Sequence, residues 1–457
     1  MDNNQNLNNN TGVDSGSVQI DASSSEHKTH GGHHSSHHHG HHSHSGSSHS
    51  GSSHHGSSHG GSSHDSHHRH RHSSNKKKKR TLSTKGKWAI VISVCVVFVA
   101  LVVFGVLLGF DQPDFMHPQT GDESVDLLKI EVVNPEGILV KKAVEKYLLA
   151  DVLNPANSDK TLSSYSKGEG RLDAQVPVAL KLSVKKGEAI SYKIELADNH
   201  SFVNADTFYL EAASGVCEFE HLYTNTTYYY RVTVYTRTGL DTATGQFQTA
   251  DTPRILSIDG LSNVRDIGNW KTDSGKRIKQ GLLIRGTEMD AAVESGYHLT
   301  NEGLVDMIEV FGIKTDIDLR AQTATSMDAL GPQVEHIYYD MVMYEGIFTD
   351  TGKDKIRMVF SDLADPDNYP VYLHCTYGCD RTGTVCYLLE ALLGVSRGDC
   401  LRDYGLSNLN IANILVVENG LANYEGDTLK GQAESYLLSC GVSEYQINSI
   451  RNIFLGE

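Results

Sequence analysis

What this 457-residue sequence lacks most plainly is positive charge. It carries 40 Lys+Arg against 56 Asp+Glu, a net charge of −16 with histidine neutral. The deficit is uneven. Residues 1–87 hold 10 Lys+Arg and 5 Asp+Glu, and the remaining residues hold 30 against 51. Binding a nucleic-acid backbone rests on clustered cations, so an acidic body argues against that function. Cysteine is also scarce, and its seven positions do not pair. Cys95 lies in an apolar run, Cys217 stands alone, and the other five fall after residue 374. This is no disulfide framework, and no paired spacing suggests a zinc site. The first 75 residues lack almost anything apolar to bury, so they are expected to be disordered.

That same tail is rich in histidine: 19 of the 25 lie between His27 and His72. Clustered imidazoles (His33, His34, His37, His38, His39, His41, His42) have the chemistry to bind metal. The plainer alternative is a flexible polar tail whose charge rises as pH falls. Next comes Trp88 to Phe110, an uncharged run of 23 residues rich in Val, Leu and Phe. It is long enough to span a bilayer and too far from the N-terminus for a signal peptide. Lys76 to Arg80, Lys85 and Lys87 precede it, and Asp111 and Asp114 follow it. The positive-inside rule then expects a single-pass cell-membrane protein, with residues 1–87 cytoplasmic and everything after about residue 110 exterior.

The exterior portion reads as three stretches. Residues 111–170 are expected as a linker region with a strand over Val125–Val133 and a helix over Val140–Leu149. Residues 171–250 alternate as strands do (Val176–Val184, Ile190–Leu196, Thr227–Tyr235), with a turn over Gly239–Gly245. Short strands at this spacing suggest a β-sandwich. Residues 254–457 alternate strands with helices and are expected to form an α/β domain, a mostly parallel sheet flanked by helices. Helices are read over Thr300–Phe311, stopped by Gly312, over Thr382–Leu393, closed by Gly394, and after Ser443, where Gln446 completes a capping box.

One segment carries chemistry. His374-Cys375-Thr376-Tyr377-Gly378-Cys379-Asp380-Arg381-Thr382-Gly383 places a Cys and an Arg six positions apart, between an apolar strand and a helix. Such a loop can wrap its amides around three phosphate oxygens, at the positive end of a helix dipole. Arg381 offers a planar fork to two of those oxygens. In such a nest a thiol ionises more readily, so Cys375 reads as a nucleophile. Arg381 and the amides of Thr376, Tyr377, Gly378, Cys379, Thr382 and Gly383 would hold the phosphate. Thr382 is also placed to donate to the sulfur, and His374 to orient the loop. A general acid is required, and two carboxylates compete: Asp380 in the loop and Asp318 at a strand end. Nothing calls for a metal or a cofactor. Cys379 invites a reversible disulfide with Cys375, in an exterior setting where thiols oxidise.

This segment resembles the signature His-Cys-x-x-Gly-Lys-Asp-Arg-Thr-Gly of the atypical bacterial tyrosine phosphatases. Further stretches in order are similar to that family: Asn263-Val264-Arg265-Asp266-Ile267-Gly268, Leu283-Ile284-Arg285, Asp316 to Arg320, and Asp403-Tyr404. The resemblance covers about 200 residues. It implies a metal-independent phosphatase acting on phosphotyrosine and, in some members, on phosphoserine/threonine or phosphoinositides. It also favours Asp380 as the acid. Cys379 stands where the family has Lys, which weakens the phosphoinositide reading, and Asn269 replaces a second Gly. The stretch Leu222 to Val232 resembles a strand of fibronectin type III modules, implying a spacing or binding role. The rival readings are an inositol-phosphate phosphatase and a catalytically silent adhesion or sensor protein.

Overall fold

The computed structural model describes residues 127–157, 159–290, 295–321 and 329–457. The histidine-rich tail, the expected membrane span and the start of the 111–170 region lie outside the described residues. Among the described residues no helix is long and apolar enough to cross a membrane, and no group of three or more His, Cys, Asp or Glu is placed to hold a metal ion.

Seven strands come first: β1 (Leu128–Val133), β2 (Val178–Val184), β3 (Ala189–Ala197), β4 (Asp206–Glu211), β5 (Val216–Phe219), β6 (Thr227–Thr236) and β7 (Gly239–Gln248). They form two antiparallel sheets, β1-β2-β5 and β4-β3-β6-β7. The two-residue period sets the faces. In β6, Tyr228, Tyr230, Val232 and Val234 are buried and their neighbours less so. Leu180 and Phe219 of one sheet share a core with Ile194 and Val232 of the other. The expected turn over Gly239–Gly245 is instead strand. β6 and β7 pair without a break from Thr227↔Gln248 to Thr236↔Gly239, and only Arg237 and Thr238 turn the chain.

β1 and β2 are neighbours in one sheet, yet 44 residues separate them. The stretch expected as a linker region contributes side chains to both cores. Leu139 still packs among the two sheets, whereas Val140, Val144, Tyr147, Val152 and Leu162 are buried in the core of the following α/β part. Helix α1 (Lys142–Leu149) supplies two of these side chains and the Tyr147 hydroxyl, 3.4 Å from the Leu401 carbonyl. Each such apolar side chain stabilises the fold by about 1.5–3 kcal/mol when fully buried. Val140, Val144, Tyr147, Val152 and Leu162 are thus structural members of the α/β part.

The α/β part is built on a six-stranded sheet. Its strands are β8 (Arg254–Ile255), β9 (Arg265–Asp266), β10 (Leu283–Gly286), β11 (Thr315–Asp318), β12 (Glu335–Tyr338) and β13 (Val371–His374), in the order β12-β11-β13-β10-β9-β8. β12, β11, β13 and β10 run parallel, and β9 and β8 are antiparallel additions. β13 is buried along its whole length, as expected for a central strand covered on both faces. The helices after α1 are α2 (Asn301–Val305), α3 (Asp350–Leu363), α4 (Asp380–Leu393), α5 (Arg397–Gly405), α6 (Ala412–Leu421), α7 (Leu429–Ser439) and α8 (Glu444–Leu455). The helix read over Thr300–Phe311 is α2 followed by a wider π-helical stretch, Asp306–Val310, before Gly312 at φ +61°. α4 is buried on every side from Thr382 to Leu393 and ends at Gly394, φ +83°.

Candidate active site

The site sits where the C-terminal ends of three parallel strands meet. Gly286 of β10 and Asp318 of β11 are both in register with His374 of β13. In parallel sheets, ligands bind beyond such strand ends. From His374 the chain passes through Cys375, which is 3 % exposed, and loops into the first turn of α4.

The loop is held from outside by its carbonyls. Thr376 O accepts from the Glu288 amide (3.1 Å). Asn263 Nδ2 donates to Tyr377 O and Gly378 O, both at 3.1 Å. Arg285 Nη2 donates to Gly378 O at 2.8 Å. Cys379 O accepts from the Gly383 amide and Asp380 O from the Thr384 hydroxyl, both at 2.8 Å. The amides do the opposite. Among the described residues, none accepts a hydrogen bond from the backbone N–H groups of residues 376–382. A run of amides left over inside a loop leading into a helix N-terminus makes an anion nest. Gly378 permits the curl: it sits at φ +64°, and a Cβ there would lie 2.3 Å from Gly286 O. Arg381 closes the ring, with Nη2 3.3 Å from Thr376 Oγ1 and Nη1 3.2 Å from Leu319 O.

Behind the loop lies a buried charge network. Arg265 grips both carboxylate oxygens of Asp403 at 3.0 and 3.1 Å and reaches Asn263 Oδ1 at 2.7 Å. Arg285 Nη1 shares Asp403 Oδ2 at 2.9 Å. Burial works against the charge of Asp403, but Arg265 and Arg285 outweigh it and hold its pKa down. Glu390 on α4 is buried beside it. Burial, then the charge of Asp403, raises the Glu390 pKa well above the carboxylate range. Arg265 and Arg285 therefore brace Asn263 and Gly378, the two points that pin the loop.

A second network lies under Cys375. His374 Nε2 is 3.1 Å from Asp316 and 3.9 Å from Asp318. The Asp316 contact pairs the imidazole with a carboxylate. Burial alone would lower the His374 pKa, but Asp316 and Asp318 raise it to about 9. The two carboxylates thus favour a cationic imidazole, one residue before the sulfur.

The two candidate acids lie in different surroundings. Asp318 is fully buried, and Arg320 donates to its oxygens four times, at 2.7–3.0 Å, backbone amide included. Arg320 also pairs with Glu288 and Asp290. Asp380 is half-buried at the first turn of α4, and its Oδ1 accepts from the Tyr344 hydroxyl. That hydroxyl lies 2.7 Å from the Tyr404 hydroxyl. Tyr344 has φ +53°, a left-handed conformation costly for a bulky side chain. Nothing in the pattern around Met343-Tyr344-Glu345 marks this residue beforehand.

The remaining loop residues fall as follows. The Thr382 hydroxyl is buried without a hydrogen-bond partner among the described residues. Gly383 lets the Tyr404 ring approach: a Cβ there would lie 3.0 Å from it. Tyr377 is 51 % exposed. Cys379 and Cys375 are both free thiols. Cys379 accepts from Asn263 Nδ2 at 3.5 Å, and burial, then the charge of Cys375, raises its pKa to about 11. Asn269, the departure noted beside Gly268, adopts φ +73°, a conformation that Asn tolerates.

Comparison with known proteins places a name beside this geometry. The profile of the tyrosine phosphatase family matches residues 256–456. An inferred tyrosine-protein phosphatase of Cupriavidus necator is 30% identical over 179 residues, covering 34% of this chain and 63% of that protein. A tyrosine-protein phosphatase of Nostoc commune is 28% identical over 152 residues, covering 28% of this chain and 50% of that protein. The chain thus spans less than two thirds of the length of these relatives. Among solved structures, the core catalytic domain of the PP-IP phosphatase SIW14 from S. cerevisiae, in complex with citrate, gives a TM-score of 0.24 at 11% identity. That match covers 40% of this chain and 87% of that one.

Proposed function

We propose that this chain is a cysteine-dependent phosphomonoester hydrolase of the protein-tyrosine-phosphatase type. The observation that carries the reading is the loop after β13, with its carbonyls bound outward, its amides free inward and Cys375 at its base. The family match over residues 256–456 supports it. Cys375 attacks phosphorus in line, and the bond to the leaving oxygen breaks as the phosphocysteine forms. Arg381 and the amides of residues 376–382 hold the equatorial oxygens. Asp380 gives its proton to the leaving oxygen and then takes one from the water that releases phosphate. The saturation of Asp318 by Arg320 supports Asp380 in this role. Thr382 donates to the sulfur as it leaves, a role its unpartnered hydroxyl supports.

The first choice of substrate is a monophosphate such as phosphotyrosine. Cys379 offers no charge for a second phosphate, and the basic side chains behind the loop are all spent on carboxylates. The two antiparallel sheets serve as a fibronectin-type-III-like spacer, and Trp88 to Phe110 anchors the protein in the membrane with the hydrolase exterior. The test uses the full chain, wild type and Cys375→Ser. Phosphotyrosine peptide, phosphoserine peptide, p-nitrophenyl phosphate and an inositol polyphosphate are compared. The expected result is turnover of the first and third, lost in the variant. Turnover of none, or turnover insensitive to the substitution, rejects the proposal. Protease treatment of intact cells tests the topology, since an exterior domain is removed and an interior one is protected.

A further inference from the structure

Beside the catalytic loop the surface opens into a second pocket of about 380 Å³. Tyr377 and Cys379 of the loop line it, with Leu406. Tyr297 stands edge-on to Tyr377, ring centres 6.3 Å apart. Leu162 and Leu172, from the excursion between β1 and β2, also line it. Both leucines lie outside residues 256–456, the stretch matched by the family profile.

The excursion is fastened to the loop. Asp173 accepts from the Asn263 amide at 2.7 Å and from the Ser262 hydroxyl. Asn263 in turn holds Tyr377 O and Gly378 O. On the other side the Ser163 amide donates to Asn408 Oδ1 at 2.8 Å. Pocket and loop therefore keep a fixed relation, as a specificity subsite requires.

We infer that this pocket is a subsite for an apolar side chain flanking the phosphorylated residue of a peptide substrate. The inference rests on the phosphatase reading above. Tyr377 and Cys379 belong both to the loop and to the pocket lining, so the two sites adjoin. The apolar lining is leucine and tyrosine, which receive an apolar group. The lining also carries Asn263, Asn408, Ser262 and Ser407, suited to a peptide backbone. No Lys or Arg lines it, and its one charge is the Asp173 carboxylate. Burial works against that charge, but Arg171, Ser262 and Asn263 hold its pKa down at about 2. Arg171 itself is committed to Asp173 and to Leu261 O. A polyphosphate or an anionic lipid surface finds no counter-charge there.

The experiment measures kcat/KM of the full chain on phosphotyrosine peptides carrying Leu, Ala, Lys or Asp at each flanking position. p-Nitrophenyl phosphate runs alongside. At one position Leu is expected to exceed Ala about tenfold, with Asp lowest, the scale a few methylenes give in a pocket. In Leu172→Asp the Leu/Ala ratio falls to about one and Lys becomes preferred. Each ratio is formed within one variant, so a general loss of activity cancels. A flat wild-type panel in the presence of turnover overturns the subsite and leaves the phosphatase reading standing. So does a preference that survives Leu172→Asp. No turnover of p-nitrophenyl phosphate or of any peptide overturns both. If Leu172→Asp does not fold, Tyr297→Ala serves in its place, and the wild-type panel decides on its own.

Discussion

Tyr344 donates its hydroxyl to the carboxylate of Asp380, and Tyr404 stands 2.7 Å behind it. In the proposed mechanism this carboxyl gives and then retrieves a proton, and the two hydroxyls hold it in place. Asp380→Asn is expected to lower kcat about 100-fold or more on phenyl phosphate and much less on p-nitrophenyl phosphate, whose leaving oxygen needs little protonation. Tyr344→Phe should show the same dependence on leaving group at about a tenfold loss. Equal losses on the two esters would remove Asp380 from the protonation step.

Gly378 is the point at which the loop curls against Gly286. Gly378→Ala asks a side chain to adopt φ +64° with its Cβ 2.3 Å from a carbonyl oxygen. The loop must open to admit it, and a shift of about 1 Å in a positioned site costs on the order of 100-fold in rate. The expected outcome is a loss of kcat of that size with the circular dichroism spectrum retained. Wild-type kcat in this variant would mean that the curl is not needed.

Asp403 satisfies two buried guanidinium groups at once. Asp403→Asn keeps the shape but leaves Arg265 and Arg285 without their counter-charge. Removing one partner of a buried pair costs about 3–5 kcal/mol. A marked fall in the urea midpoint at constant slope is expected, together with lost activity as Asn263 and Gly378 are released. A midpoint unchanged from wild type would show that Glu390, beside Asp403, takes up the charge.

His374 makes stability depend on pH in a definite sense. Its folded pKa is raised to about 9 from an ordinary value of 6.5. The folded state therefore holds the proton more tightly than the unfolded chain. The stabilisation is complete below about pH 6.5 and is lost as pH climbs through about 9. Asp316, held at about 2 by His374 and His336 in spite of burial, acts in the opposite direction. Its contribution is present above its ordinary value of 3.8 and is lost as pH falls through about 2. Denaturation midpoints from pH 6 to 9.5 should fall, and His374→Gln should flatten that slope. A wild-type midpoint that does not fall over this range would contradict the charged imidazole.

The elements that repeat were legible from the sequence. The alternation in β6 and the capping box at Ser443, whose side chain and that of Gln446 each meet the other's backbone amide, appear in the structure. The strand–loop–helix frame around Cys375 also stands. What local pattern misses is long-range partnership. Tyr344 lies 36 residues before Asp380 and carries no periodic or motif signal. Glu390 is a charged residue on a helix, yet α4 is enclosed on all sides and the residue is buried. The 111–170 region reads as a linker because Ser158–Gly170 is polar and turn-rich, but the fold uses its apolar residues. They pack against helices that follow more than 200 residues later in the chain.

The excursion between β1 and β2 has a mechanical consequence. The chain passes from the two-sheet part to the α/β part at Leu139–Val140, returns near Val176, and passes again near Arg254. One connector is an axle about which two bodies swivel. Three connectors act as a splint, so torque on either part is transmitted to the other. A single nick in any one of them leaves the two parts joined by the remaining two.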